Sequence, residues 1–365
     1  MKLSDFKLKR IDRYIIKQFL GTFVFAMSGI ILIVIVFDVN EKIDKFMTPE
    51  VTLEEIIFDY YVNFVPYFLS MFASLFTFIA VIFFTSRLAD QSEIIAMLST
   101  GMSFHRLMVP YAISAGIIAV SMFVLGAYII PPANEKRLNF EYTYTKKNRE
   151  VVYANNVQLE VEPGIFAYFD RYSNASRMGY SFSLERFEDK TLVSRLTANS
   201  IKYDSLYNWT IIDYTIRDFD GMYERIESGT RRDTTLMFVP ADFLISEDDC
   251  EKMTSPELAT YIARQKKRGI GNIQTFEIEY HKRFANTFSF FILTVIGVSL
   301  SSYKKKGGMG LNIGIGLGLS FSYILFMTVT SSFAVSGLVS PMIASWIPNI
   351  IYTFIAVYLY RKAPR

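Results

Sequence analysis

A chain of 365 residues with 51% hydrophobic and 16% aromatic content carries a net charge of only +3, which excludes bulk attraction to nucleic acid as the basis of its function. Its one cysteine, Cys250, excludes an intrachain disulfide and a cysteine-based metal centre, and reads as a lone reduced thiol. The two histidines, His105 and His281, form no His-Glu-x-x-His pair and read as interfacial or hydrogen-bonded residues.

Met1–Lys17 is charged and shows no signal-peptide cleavage pattern, so the first apolar stretch reads as a retained anchor. Arg10 to Lys17 reads as a basic amphipathic lead lying along the inner interface. Six stretches then follow without Asp, Glu, Lys, Arg or His: Phe19–Phe37, Val62–Ser86, Met108–Ile130, Phe284–Tyr303, Gly307–Phe333 and Leu338–Tyr360. Each has the roughly 20 mostly apolar residues that a membrane-crossing helix needs.

Orientation follows from the cations. One set of span ends carries 14 Lys and Arg residues, while the opposite short loops, 38–61 and 334–337, carry only Lys42 and Lys45. The positive-inside rule therefore predicts cytoplasmic termini and an external block between spans three and four.

Within the first half, 1–130, the loop after span two reads as a short amphipathic helix over about 87–104, with Leu88, Ile94, Ile95, Met97 and Leu98 on one side and Gly101 as its stop. Two readings stand side by side: an interfacial helix lying on the membrane, and a coupling helix that docks into a cytoplasmic motor, with Arg87, Asp90, Glu93 and Gly101 as its marked residues. Span three is expected to end at Pro131-Pro132.

The block 131–283 holds 22 basic and 24 acidic residues and no long apolar run. Val157–Val161, Ile165–Asp170, Tyr180–Phe187, Leu192–Tyr203, Trp209–Asp218 and Thr234–Val239 read as strands. Turns are expected at Glu162-Pro163-Gly164, Ser173-Asn174, Glu188-Asp189-Lys190, Tyr207-Asn208, Asp220-Gly221 and Ser228-Gly229. Strands at this spacing predict a sandwich or jelly roll. A helix follows from Ser255-Pro256-Glu257 to Gly269. The fold class is thus an α-helical membrane protein with six transmembrane helices and an inserted all-β, jelly-roll-like domain; 284–365 forms the second membrane half.

No span holds an ionisable residue, which argues against transport through a carboxylate relay. No Gly-x-x-x-x-Gly-Lys-Ser/Thr loop is present, so nucleotide hydrolysis, if it drives this protein, belongs to another subunit.

Four motifs together resemble the LptF/LptG lipopolysaccharide export permease family (YjgP/YjgQ-like). They are Ile11-Asp-Arg-Tyr-Ile-Ile-Lys-Gln-Phe-Leu, Gln91-Ser-Glu-Ile-Ile-Ala-Met-Leu-Ser-Thr-Gly-Met-Ser, Glu279-Tyr-His-Lys-Arg-Phe-Ala and Lys304-Lys-Lys-Gly-Gly-Met-Gly. The layout of three spans, a β domain and three spans matches as well, and Asp12-Arg13-Tyr14 leans to LptG over LptF. The resemblance implies a non-enzymatic permease subunit in the inner membrane of Gram-negative bacteria, with its β domain in the periplasm. It implies a heterodimer with a second permease of the family and a dimer of the LptB ATPase, which hydrolyses the ATP while this chain binds no cofactor. It further implies extraction of lipopolysaccharide from the outer leaflet and its delivery through the β domain to LptC and LptA, for outer membrane biogenesis.

Three residue sets carry the site expectations. Glu93 is the coupling residue on the family signature. Gly310, Gly314 and Gly318 recur on one face of span five, which fits either packing within the chain or the lateral gate against span one of the second permease. Lys42, Lys45, Lys136, Arg137, Lys282 and Arg283 sit at outer span ends, which fits either snorkelling anchors or contacts to lipid phosphates. Two other classes compete with export: a non-transporting receptor or scaffold with an external β domain, and a lipid-modifying enzyme, for which no nucleophile, base or metal cluster is visible.

Overall fold

The computed structural model describes residues 9–49, 51–145, 153–243, 247–267, 273–302 and 308–363. They fall into two compact units, a helical one drawn from 1–145, 251–255 and 277–365, and a β one drawn from 146–250 and 256–276. The chain-order elements are α1 (Arg10–Phe46), α2 (Leu53–Asp90), α3 (Glu93–Ser99), α4 (Phe104–Tyr144), β1 to β6, α5 (Ser255–Lys267), α6 (Gln274–Ser301), α7 (Gly308–Val335) and α8 (Pro341–Lys362). Six of these helices are long and apolar enough to span a membrane, at the six predicted places. The expected stop at Gly269 and the Lys304-Lys305-Lys306 turn lie outside the described residues.

Two helices run beyond their apolar stretches. The 37 residues of α1 rise about 55 Å, against a hydrocarbon core of about 30 Å, so its ends stand in the polar zones. Span three does not stop at Pro131-Pro132, as the sequence suggested: α4 continues to Tyr144. A wide π-type turn over Leu125–Ile129 lies just ahead, and it contains the carbonyls, four residues back, that the proline rings would otherwise strike.

α2 is the central post of the helical unit. Phe78, Val81, Ile82 and Phe84 are all buried, the first against α6 and α7 and the last against α1 and α4. Gly297 of α6 and Gly316 of α7 are the points of close approach to it, since a Cβ at either would collide with Val81 or Ile82. Polar bonds reinforce the seam inside the bundle: Asn312 Nδ2 donates to Ser86 Oγ at 3.2 Å, and Tyr323 donates to Asn349 Oδ1 at 2.9 Å.

The β unit is one antiparallel sheet in the order β1-β2-β3-β4-β5-β6, with strands Tyr153–Glu162, Ile165–Ser173, Met178–Glu188, Thr191–Ser205, Asn208–Asp220 and Tyr223–Thr235. Among the described strands this is a meander, not the Greek-key order of a jelly roll. Short turns explain it by returning each strand onto its predecessor. Gly164 and Gly221 take positive φ, and Asp189 and Lys190 both do, as the tightest hairpins require.

Two expectations fail here for identifiable reasons. Ser228-Gly229 is not a turn but the middle of β6, where Gly229 pairs with Tyr214 and leaves room for its ring. Thr234–Val239 is not a strand of its own. β6 ends at Thr235, and Leu236 and Phe238 fold under to join Phe169, Tyr172, Phe182, Ile201 and Trp209 in the core. The indole Nε1 of Trp209 donates to the Phe238 carbonyl at 3.1 Å, which fixes this tail against the sheet.

A transverse crease crosses the sheet. The ladders omit the aligned pairs Asn156–Asp170, Asp170–Ser181, Ser181–Asn199, Asn199–Asp213 and Asp213–Thr230, a single row of short polar residues across all six strands. Ser181 and Asp213 take left-handed φ values of 54° and 52°. The four inner strands β2 to β5 change their inward parity there: Phe169 then Tyr172, Phe182 then Gly179, Ala198 then Ile201, Tyr214 then Ile211.

Tyr172 is fully buried beside Trp209, and its hydroxyl finds no hydrogen-bond partner among the described residues. Burial, with Tyr203 nearby, pushes its pKa up to about 12. The neutral phenol therefore holds in the fold after it would ionise in the unfolded chain, so its contribution is complete below about pH 10 and is lost as pH rises towards 12. Tyr172→Phe is expected to leave neutral-pH stability unchanged or higher, since it removes an unsatisfied polar atom. It should also flatten the loss of Trp209 burial between pH 10 and 12, read by fluorescence quenching in the full chain.

Candidate functional site

The signature loop forms a tight helical hairpin. Arg87 and Asp90 lie exposed on the last turn of α2, and the chain reverses at Gln91-Ser92, where Ser92 takes a φ of 62°. α3 then starts at Glu93 and runs only to Ser99, so the expected helix over 87–104 is split between two elements. Gly101 closes the hairpin with a φ of 87°, a conformation open to glycine at no steric cost. Ile94 is 0% exposed, and Leu88, Met97 and Leu98 join it against α1 and α4. The apolar side of α3 is thus spent inside its own bundle, and the face carrying Glu93, Ile95 and Ala96 is left outward, with Ile95 54% exposed.

Beside this hairpin, Asp12 is almost fully buried at the start of α1. It accepts from the Lys9 amide at 2.7 Å and from Arg106 Nη2 at 2.5 Å. This clamp ties the first turn of α1 to the first turn of α4. The sequence marked Asp12 only as part of a motif, because a partner 94 residues away leaves no local signal. His105 meets the Tyr360 hydroxyl at 3.3 Å.

At the opposite end of the helical unit the six candidate cations divide into two groups. Lys42 Nζ lies 2.8 Å from Asp38 and 3.4 Å from Glu141, bonds the Tyr60 hydroxyl and sits 4.6 Å over the Tyr60 ring. Arg137 reaches the same Glu141 at 3.2 Å, donates from Nε to Asn134 Oδ1 at 3.2 Å, and covers the Tyr67 ring at 4.5 Å. Tyr60 and Tyr61 both donate to Asp38, at 3.0 and 3.1 Å. Arg283 bonds Glu279 at 3.0 Å, the Met253 carbonyl at 2.9 Å and Ser255 Oγ at 3.1 Å. Lys42, Arg137 and Arg283 therefore spend their charge within the protein. Lys45 and Lys136 are exposed and Lys282 half-buried, and none of the three has an ion pair among the described residues.

A cavity of about 460 Å³ opens among α2, α4, α6 and α7. Asn134, Glu251, Glu279, Lys282 and Arg283 form its polar rim, and Phe72, Met122, Phe123, Phe290, Phe321 and Met327 supply its apolar wall.

α7 presents two unlike faces. Asn312, Gly316, Ser320, Tyr323 and Met327 face the bundle, while a side chain added at Gly310, Gly314 or Gly318 would meet nothing within 4 Å among the described residues. Packing among the described residues therefore does not account for that glycine row. α1 is similarly open, with Val24, Phe25, Leu32, Val36 and Phe37 each 60% or more exposed and only 17% of its apolar window buried.

Compared with known families, residues 13–362 match the one described as "Lipopolysaccharide export system permease LptF/LptG". No curated protein matches the chain.

Proposed function

The chain belongs to the LptF/LptG family of lipopolysaccharide export permeases, and from that membership we propose that it forms one half of an ATP-driven complex that draws lipopolysaccharide out of the outer leaflet of the inner membrane. The observation that carries this reading beyond membership is the α2–α4 hairpin. Its apolar side is buried in its own bundle, so Glu93 and its neighbours are presented as a firm knob for another protein instead of lying down on lipid. Arg87, Asp90 and Gly101 complete that knob, two at its rim and one as its hinge. The occupant proposed is a dimer of the LptB ATPase, and the periplasmic placement of the β unit follows from the same orientation. Through that unit the lipid passes to LptC and LptA. The lean to LptG rests on Asp12-Arg13-Tyr14, of which Asp12 is the clamp to Arg106.

The open faces of α1 and α7 suit contact with a second permease of the family. Gly310, Gly314 and Gly318 on α7 would let its backbone approach closely while burying little side chain, as a gate that opens and shuts requires. Gly314→Leu is expected to insert and fold normally, because none of the described residues occupies that space. It should weaken recovery of the second permease at least tenfold in co-purification; undiminished recovery would remove Gly314 from the interface.

Phosphate contacts are assigned to Lys45, Lys136 and Lys282. Lys42, Arg137 and Arg283 hold the frame that positions them. The central test is purification of the tagged chain from its host membrane: a soluble ATPase and a second permease should accompany it, and ATP should drive release of lipopolysaccharide from the reconstituted complex. A receptor or scaffold would carry neither the ATPase nor ATP-dependent release.

A further inference from the structure

The rim and the wall of the cavity differ in chemistry along one direction. On α6 the rim residue Glu279 and the wall residue Phe290 lie eleven positions apart, a rise of about 16 Å. One leaflet of hydrocarbon is half of roughly 30 Å, so the well runs about one leaflet deep from a headgroup-level rim. A volume of about 460 Å³ lies in the range of ligand pockets and exceeds a packing defect by far. On the rim, Arg283 holds Glu279 at 3.0 Å, Asn134 donates to Glu251 at 3.4 Å, and Lys282 has no ion pair among the described residues.

We propose that this well holds one acyl chain of a phosphate-bearing lipid, with the lipid's phosphate at Lys282. The site lies wholly within one chain and is separate from the glycine face of α7. It rests on the outward orientation proposed above, but neither ATP nor a partner subunit is needed to occupy it. A phospholipid and lipopolysaccharide offer the same chemistry here, acyl chain plus phosphate.

The test uses the full chain in nanodiscs of phosphatidylglycerol bearing a photoactivatable diazirine near the end of one acyl chain. Phe290 and Met327 are only 3% and 6% exposed, so bulk lipid reaches them only through the well. Adducts on these two residues are expected after irradiation, alongside adducts on lipid-facing Phe25, which is 81% exposed. Gly126 lines the well and has open space at its Cβ, so Gly126→Trp should fill it and lower the Phe290 adducts about tenfold without changing those on Phe25. Ser74→Phe, from another wall, guards against a folding defect in the first variant. Lys282→Gln should lower the same adducts several-fold. Unlabelled lipopolysaccharide then identifies the source: competition assigns the well to the exported lipid, and its absence assigns it to phospholipid. Adducts confined to outward residues, or Phe290 adducts that persist when the well is filled, would overturn the proposal. Because the labelling needs no ATP, it stands or falls apart from the export reading.

Discussion

Glu141→Ala is expected to destabilise the helical unit by about 3–5 kcal/mol, the cost of removing one partner from a buried ion pair. Glu141 is the shared counterion of Lys42 and Arg137, whose side chains are only 14% and 9% exposed. With Asp38 the four charges cancel, two positive and two negative. Removal of Glu141 leaves a surplus positive charge among Tyr60, Phe64 and Tyr67, where water is scarce. The same change unties α1 from α4, because the Lys42–Glu141 contact crosses between them. Thermal unfolding of the detergent-solubilised chain should show the loss, and Lys42→Met in the same chain should restore part of it by removing the surplus charge. An unchanged melting profile for Glu141→Ala would mean that the network is hydrated and makes no net contribution. For the same reason, neutral substitutions of Lys42 or Arg137 report on folding before they report on lipid capture.

On the coupling role proposed for Glu93, Glu93→Lys should leave the chain inserted and folded while weakening its association with the proposed ATPase. Glu93 opens α3 with its side chain only half-buried, so the substitution adds no buried charge. A basic docking surface that attracted the carboxylate would now face an ammonium, and close charge pairs at interfaces are coupled by about 1.5 kcal/mol or more. Association with the ATPase should fall at least tenfold, since about 1.4 kcal/mol is a factor of ten. ATP-driven release of lipopolysaccharide should fall with it. Ile94→Ala is the contrasting variant: Ile94 is fully buried in the bundle, so it should lower stability instead of coupling alone. Full transport by the Glu93→Lys protein would remove Glu93 from the coupling site.

The six spans were legible because a bilayer demands length and apolarity together, and both are local properties of the sequence. Five of the six strands were legible through turns and alternation. β6 was not, since its residues Tyr223–Thr235 include Glu224, Arg225, Glu227, Arg231, Arg232 and Asp233. That composition suits a solvent-exposed edge that must not recruit other strands, and it erases the alternation that marks an inner strand. At the end of the helices opposite the signature hairpin the cations were legible but not their use. Lys42 and Glu141 lie 99 residues apart, and Asp12 and Arg106 lie 94 apart. Only the folded arrangement shows that Lys42 and Arg137 are already neutralised, and that Lys282 stands at the mouth of a well.

The crease across the sheet acts as an index mark. In a plain sheet, a strand that slides by two residues restores the same inward and outward sides, so such slips are only weakly opposed. Here the row from Asn156 to Thr230 fixes one place where each of β2 to β5 changes phase. A strand displaced by two residues would bring its own change of phase against a regular stretch of its neighbour, leaving amides unbonded on one side and apolar side chains turned to water on the other. Two-residue sliding, the cheapest error open to a meander, is thereby made as costly as a one-residue slip. The polar row that breaks the ladder is what keeps the strands in step.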